Sequence, residues 1–227
     1  MGFFELLDKG LILREGSDIR WLILGYAAVA VISYLIGSVN TAVIVSCALY
    51  KKDIREFGSK NAGMTNMFRV FGKKAGILTF VGDALKALVS VLIAAVIVGR
   101  LAGGPNVAGF FCVAGHVFPL YYGFKGGKGV LVSAVTILFI DPVVFVFVMA
   151  VFALMFFATH YVSLASITAA ALYPLINSVF RASNQFIVQT VFSLGLAIFV
   201  IVMHKDNIRR LMDGEEPRTY LGKGKKK

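Results

Sequence analysis

The chain predicts an all-α, polytopic integral membrane protein, and three observations carry that prediction. Of its 227 residues 58% are hydrophobic and only 15% charged, whereas an average soluble domain carries about 25% charged residues. The mean hydropathy is +0.82. The apolar residues fall in runs of the length a helix needs to cross ~30 Å of hydrocarbon.

Taken in order, the runs are 21–50, 75–98, 107–122, 130–140, 143–159, 162–180 and 186–203. The first opens on Trp21 and closes on Tyr50, aromatic residues that favour the membrane–water boundary, and is longer than one crossing requires. The second holds Asp83 and Lys86 one helical turn apart, a pairing that ionised groups need inside a membrane. The third ends in aromatics after Pro119, and the fourth is short. The fifth and sixth contain no charged residue, and the last runs into a polar tail. These make about seven transmembrane helices; five crossings, with 130–159 as one bent segment and another run re-entrant, is the alternative count.

Residues 1–20 intersperse Glu5, Asp8, Lys9, Arg14, Glu15, Asp18 and Arg20 with apolar positions. They read as an amphipathic lead-in, not as a cleavable signal. Residues 21–215 then form one membrane-embedded domain and 216–227 a basic tail.

The net charge of +11 does not call for nucleic acid as a partner, because a cytoplasmic excess of Lys and Arg orients any polytopic protein. With seven crossings, the basic residues of 51–74, 125–128 and 205–227 share one side, and only Lys9, Arg14, Arg20, Arg100 and Arg181 fall on the other. The richer side is cytoplasmic, which puts the amino terminus outside and the carboxyl terminus inside. Cys47 and Cys112 lie in apolar runs without ligand-spaced partners, so neither a disulfide framework nor a metal site is expected.

On this topology the glycine-rich and polar clusters all reach the inner face. Lys125-Gly126-Gly127-Lys128-Gly129 combines backbone that can approach an anion with positive charge. It is not a nucleotide P-loop, since Gly129 stands where Ser or Thr is required. Asp53-Ile54-Arg55 leads into Gly58-Ser59-Lys60-Asn61-Ala62-Gly63-Met64-Thr65-Asn66, which supplies hydroxyl, amide and guanidinium donors suited to phosphate. Two such clusters suggest two phosphate groups. Each alone is also compatible with an ordinary tight turn.

Asp83 and Lys86 read as a structural ion pair or as a substrate contact. His204 stands where the last span meets the tail, with Asn207 at i+3 and Arg210 at i+6 on one helical stripe. His116, followed by Pro119 and aromatics, reads more like a shaped helix end. No His is followed five positions on by an acidic residue, which counts against the HxxxxD acyltransferases, and Ser38 lacks a nucleophile elbow and reads as a hydrogen-bond donor.

In order, these segments resemble the acyl-phosphate-dependent glycerol-3-phosphate acyltransferases of bacterial membranes. The matches are Gly37-Ser38, the D-x-R-x-x-G-S-x-N-x-G-x-T-N pattern of 53–66, Asp83 with Lys86, G-H-x-F-P and F-K-G-G-K-G-V across 115–130, Y-V-S-L-A-S-I at 161–167, and H-x-x-N-I-x-R-L-x-x-G-x-E at 204–216. Lys60 departs from the family's usual Gly and Ala62 from its frequent Pro.

The resemblance implies transfer of a fatty acyl group from acyl phosphate to the 1-hydroxyl of glycerol 3-phosphate, at the cytoplasmic face of a bacterial inner membrane. It implies no cofactor and no metal, and a monomer or loose dimer is the expected state. It assigns catalytic roles to His204, Asn207 and Ser38. Substrate binding goes to Arg55, Ser59, Asn61, Thr65 and Asn66 from the first cluster, to Lys125, Gly126, Gly127 and Lys128 from the second, and to Lys86, His116 and Ser163. His204 acts either as a base or as an orienting group. The rival from another class is a transporter for a phosphorylated metabolite, which the sparse polar residues of the outer side disfavour; a structural scaffold leaves the glycine-basic clusters without a cause.

Overall fold

The chain writes its own stop and start inside the first apolar run. Helix α2 (Ile19–Gly37) ends where the Ser38 hydroxyl turns back to donate to the Tyr34 carbonyl at 2.8 Å. Helix α3 (Thr41–Tyr50) begins at Asn40, whose side chain accepts the Val43 N–H at 3.1 Å as an N-cap. The run expected as one long segment is thus two helices, in a computed structural model that describes residues 2–12, 18–180 and 186–220.

A short helix, α1 (Phe3–Lys9), precedes them. Its following residue Leu11 donates its N–H to Val96 O at 2.8 Å, and Arg100 donates to Leu7 O at 2.9 Å, so the segment is tied to the far end of the next long helix. That helix, α4 (Met64–Ile97), starts earlier than the run 75–98 and is broken at Gly72, where φ is 83°. Helix α5 (Gly104–Val117) stops short of residue 122, because Pro119 starts a 3-10 turn over Leu120–Tyr122. Then follow α6 (Val130–Ile140), α7 (Pro142–Thr159), α8 (Val162–Phe180), α9 (Phe186–Met203) and α10 (Lys205–Met212). No strand occurs among the described residues.

Among the described residues four segments are long and apolar enough to cross a membrane: the α2–α3 run, α4, α7 and α8. The α9–α10 pair, bent by 57°, makes a fifth if taken as one span. Helices α5, of 14 residues, and α6, of 11, are shorter. Helix α4 sits against α2, α3, α5 and α6, while α7, α8 and α9 pack in series and α9 returns to α5. The main core draws Ala87, Cys112, Val132, Val144, Tyr173 and Leu196 from six different helices. Cys47 is exposed, Cys112 is buried, and both are free thiols.

Two features fix the relative heights of the helices. A Cβ on Gly37 would overlap the Cys112 backbone, and one on Gly115 the Tyr34 carbonyl, so α2 and α5 approach as only small residues allow. Gly115→Ala is expected to destabilise the fold by about 3 kcal/mol, the upper end for overpacking, read as a lower thermal midpoint in detergent. The second feature is a buried charge node. Lys86 pairs with Asp83 at 2.9 Å and donates to Gly37 O at 3.1 Å and Val39 O at 2.8 Å. Its ammonium also lies 2.8 Å from His116 Nδ1. Asp83, Lys86 and His116 are only 1%, 6% and 4% exposed, so an ion pair that would be costly alone is completed by neighbouring carbonyls and an imidazole.

Candidate functional site

One cavity of about 660 Å³ opens where α4, α6 and α8 begin and α9 ends. Its shape follows from how each lining segment is tied down.

The 58–66 segment is closed by Asn66, 1% exposed. The Asn66 Oδ1 accepts the Ser59 N–H at 3.0 Å, and its Nδ2 donates to Phe57 O and Asn61 O, each at 3.0 Å. Gly58, at φ 59°, lies where a Cβ would strike that Asn66 amide, which explains the glycine. Ser59, Asn61, Thr65 and Asn66 all line the cavity, Thr65 from the first turn of α4.

The glycine–lysine segment works differently from what its composition suggests. Gly126 donates its N–H to Val117 O at 3.0 Å and Gly127 to His116 O at 3.1 Å. These amides therefore serve the end of α5 and do not face the cavity. A Cβ on either would collide with the His116 backbone or ring. The two glycines let the loop lie flat on α5, and this carries Lys128 and Gly129 to the cavity wall. Gly129, at φ 77°, is the N-cap of α6, whose first residues Val130 and Leu131 also line the space.

Lys128 heads a polar chain. Its Nζ meets Asn207 Oδ1, Asn207 Nδ2 donates to Glu216 Oε1 at 2.6 Å, and Arg210 Nε donates to Glu216 Oε2 at 2.8 Å. Burial pulls the Lys128 ammonium down to about 8, against the Glu216 carboxylate, which acts the other way. Burial also favours a neutral Glu216, but the neighbouring Ser163 hydroxyl and the hydrogen bonds from Asn207 and Arg210 outweigh it and hold the carboxyl below its usual range.

His204, 3% exposed, sits at the break between α9 and α10. Its Nδ1 lies 2.7 Å from Val200 O, and since a carbonyl can only accept, Nδ1 carries the proton and Nε2 is left as an acceptor. Burial lowers its pKa to about 4, with the Lys128 charge adding to the fall and Val200 and Glu216 opposing it. The ring is neutral at physiological pH.

The cavity thus gathers nine of the expected residues: the four from 58–66, His116, Lys128, Ser163, His204 and Asn207. Six others stand outside its lining. Ser38 donates to Tyr34 O and accepts the Leu120 N–H at 3.2 Å, joining α2 to the turn after α5. Arg55 is engaged by Asp53, with Nη2 to Oδ2 at 2.7 Å, and by the Tyr122 carbonyl at 2.7 Å. That arginine holds the Asp53 carboxyl below its usual range and props the glycine–lysine loop. Lys125 offers its carbonyl to Arg55 at 3.5 Å. Gly126 and Gly127 serve the end of α5, and Lys86 lies behind His116.

Arg69, Glu216 and Thr219 line the cavity without having been singled out as site residues. The Glu216 at the end of the H-x-x-N-I-x-R-L-x-x-G-x-E pattern was the available signal. The segment carrying it is anchored by Thr219 N–H to His160 O at 2.8 Å and by the Arg218 guanidinium over the Tyr161 ring. The opposite wall is apolar, formed by Phe80, Leu131, Ala134, Met149 and Phe152. Among the described residues no group of three His, Cys, Asp or Glu could hold a metal ion.

Chemically, this is a cavity for an amphipathic anion. One end draws on Lys60, Arg69, Lys128 and Arg210 and on the N-termini of α4 and α6, whose first-turn N–H groups have no partner within the helix. The other end offers hydrocarbon.

Comparison with known proteins gives this arrangement its relatives. A family model described as glycerol-3-phosphate acyltransferase matches residues 27–214. A protein of that name from Thermoanaerobacter pseudethanolicus is 39% identical over 189 residues, 83% of this chain and 93% of its own. One from Syntrophotalea carbinolica is 42% identical over 188 residues, 82% of this chain and 93% of its own. Among solved structures, the crystal structure of PlsY (YgiH), an integral membrane glycerol 3-phosphate acyltransferase, in its glycerol 3-phosphate form superposes with a TM-score of 0.77. It is 32% identical, covering 86% of this chain and 96% of that one. The lysophosphatidic acid form of the same enzyme gives a TM-score of 0.74 at 32% identity, covering 86% of this chain and 95% of that one.

Proposed function

Because the chain belongs to the glycerol-3-phosphate acyltransferase family of integral membrane enzymes, we propose that it takes its acyl group from acyl phosphate and delivers it to the 1-hydroxyl of glycerol 3-phosphate. The products are 1-acylglycerol 3-phosphate and inorganic phosphate. One observation carries the reading: Lys128, two helix N-termini and the acceptor nitrogen of a neutral His204 meet at the polar end of a cavity whose other end is hydrocarbon. A soluble dianion and a lipid-tailed anion can share that space if their phosphates are separately neutralised.

The two phosphates are divided between the start of α4, with Ser59, Asn61 and Thr65, and the start of α6, with Lys128 and Asn207. In the reaction the hydroxyl oxygen bonds to the carbonyl carbon and the carbon–oxygen bond to phosphate breaks. The hydroxyl proton leaves with the phosphate. His204 Nε2 accepts the hydrogen bond of the attacking hydroxyl and aims it. With its pKa near 4 it is too weak a base to hold the proton at neutral pH, which favours orientation over dedicated base catalysis. A mixed anhydride is already activated, so positioning and charge neutralisation are the main contributions required of the protein. Arg55, Lys86 and Ser38 act behind this site, by holding the Lys125–Gly129 loop, His116 and the end of α2 in place.

Seven crossings with the amino terminus outside would put this cavity at the cytoplasmic face of the bacterial inner membrane, where soluble glycerol 3-phosphate arrives. The concentration of basic residues at its mouth supports that orientation. In purified protein, phosphate release is expected only when acyl phosphate and glycerol 3-phosphate are both present. Equal turnover with an acyl thioester and no acyl phosphate would overturn the donor assignment.

A further inference from the structure

The apolar end of the cavity continues beyond Phe152. A narrow slot of about 60 Å³ shares Val130, Ala134, Met149, Phe152 and Ser166 with the main cavity. Past these it is bounded by Ile137 from α6, Val148 from α7, Ala169 and Tyr173 from α8, and Leu196 and Ala197 from α9. Counting 1.5 Å per residue, the steps from Val130 to Ile137 and from Ser166 to Tyr173 carry the slot about 10 Å along the bundle.

Its chemistry restricts what can enter. The walls are aliphatic and aromatic apart from two hydroxyls, that of Ser166, which is turned onto its own helix and donates to Val162 O at 2.8 Å, and that of Ser133, and they carry no charge. A phosphate moved here would lose every charged partner it has in the main cavity. Continuity with that cavity leaves one occupant, the hydrocarbon tail of a substrate whose head group sits beside Lys128. A water-sized group needs roughly 10–15 Å³ by the same measure, so the slot takes about four to six methylene-sized groups. The end wall is firm: Tyr173, Leu196 and Ile137 are 4%, 2% and 5% exposed. The Tyr173 ring stands edge-on to Phe192, with centroids 6.5 Å apart at 89°.

We infer that this slot receives the methyl end of the donor's acyl chain, and that Tyr173, backed by Ile137 and Leu196, is the floor that sets the preferred chain length. The inference rests on the acyl phosphate reading and adds a specificity determinant to it.

The test is a ladder of saturated acyl phosphates of increasing length, assayed for phosphate release with glycerol 3-phosphate by detergent-purified enzyme. Leu196→Ala and Tyr173→Val deepen the floor, whereas Ala197→Leu fills the slot. The ratio of kcat/KM between neighbouring members is expected to move toward longer chains in the first two variants and toward shorter ones in the third, by about fourfold per methylene gained or lost. Opposite shifts from the two kinds of variant cannot come from general loosening. An unchanged ratio in all three, or a shift in the same direction in all three, overturns the proposal. If no acyl phosphate of any length supports turnover in the unmodified enzyme, the donor reading fails separately, and the same ladder of acyl thioesters then reads the floor.

Discussion

Lys128→Ala is expected to lower kcat/KM by about a hundred- to a thousandfold, because it removes the ammonium that reaches the cavity at the start of α6. Charge-assisted contacts in a partly water-excluded site are worth about 3–4 kcal/mol. The effect should appear in the KM of one phosphate-bearing substrate and in kcat, since a leaving phosphate gains charge as the anhydride bond breaks. A pH dependence follows with a definite sign. Burial holds Lys128 near 8 in the free enzyme, so below that pH the ammonium is charged and affinity for phosphate is level. Above it the free site loses the charge. A bound dianion raises the lysine pKa, so binding must then take up a proton, and apparent affinity falls by up to about tenfold per pH unit. Lys128→Arg remains charged throughout and is expected to lose that alkaline limb even if its turnover is lower. Initial rates from pH 6 to 10 with each substrate varied check both statements; an alkaline limb retained in Lys128→Arg assigns the titration elsewhere.

His204→Ala is expected to reduce kcat by about a hundred- to a thousandfold at saturating substrates. The residue lines the cavity with Nδ1 held by Val200 O at 2.7 Å, which leaves Nε2 as the acceptor. Orientation and base catalysis separate on a second variant. Glutamine offers an acceptor oxygen but no useful basicity, so His204→Gln should recover part of the loss if the ring aims the hydroxyl, and none if it removes the proton. The native enzyme should show no acid limb from this residue until pH approaches 4. Near-native turnover in the alanine variant removes His204 from the mechanism.

Hydrophobic runs made the helical architecture legible because membrane solvation is written in composition. The boundaries were less so. Asn40 as an N-cap, Gly72 at positive φ and Pro119 after α5 each redirect the chain without changing its hydropathy. Within the site, the first cluster was readable as a unit, because Asn66 closes the very segment it terminates. The roles of the second cluster were not. Glycine next to lysine reads as an anion cradle, yet whether an amide faces a ligand or a neighbouring carbonyl is decided by α5, whose end takes both glycine N–H groups. Arg55 is a similar case: a guanidinium suits phosphate and carboxylate equally, and Asp53 two residues away holds it. The apolar wall was invisible for the opposite reason, since Met149 and Phe152 look like any lipid-facing residues until α6, α7 and α8 are set side by side.

The Asp83–Lys86 pair also bears on how the chain enters the bilayer. The two charges lie one turn apart on a single helix, so α4 can neutralise itself before any later helix is made. Two further acceptors for the ammonium, Gly37 O and Val39 O, belong to an earlier segment and are synthesised before it. Only His116 must be awaited. Of the ammonium's four partners, the two carbonyls and the carboxylate are therefore made before it and only the imidazole after it.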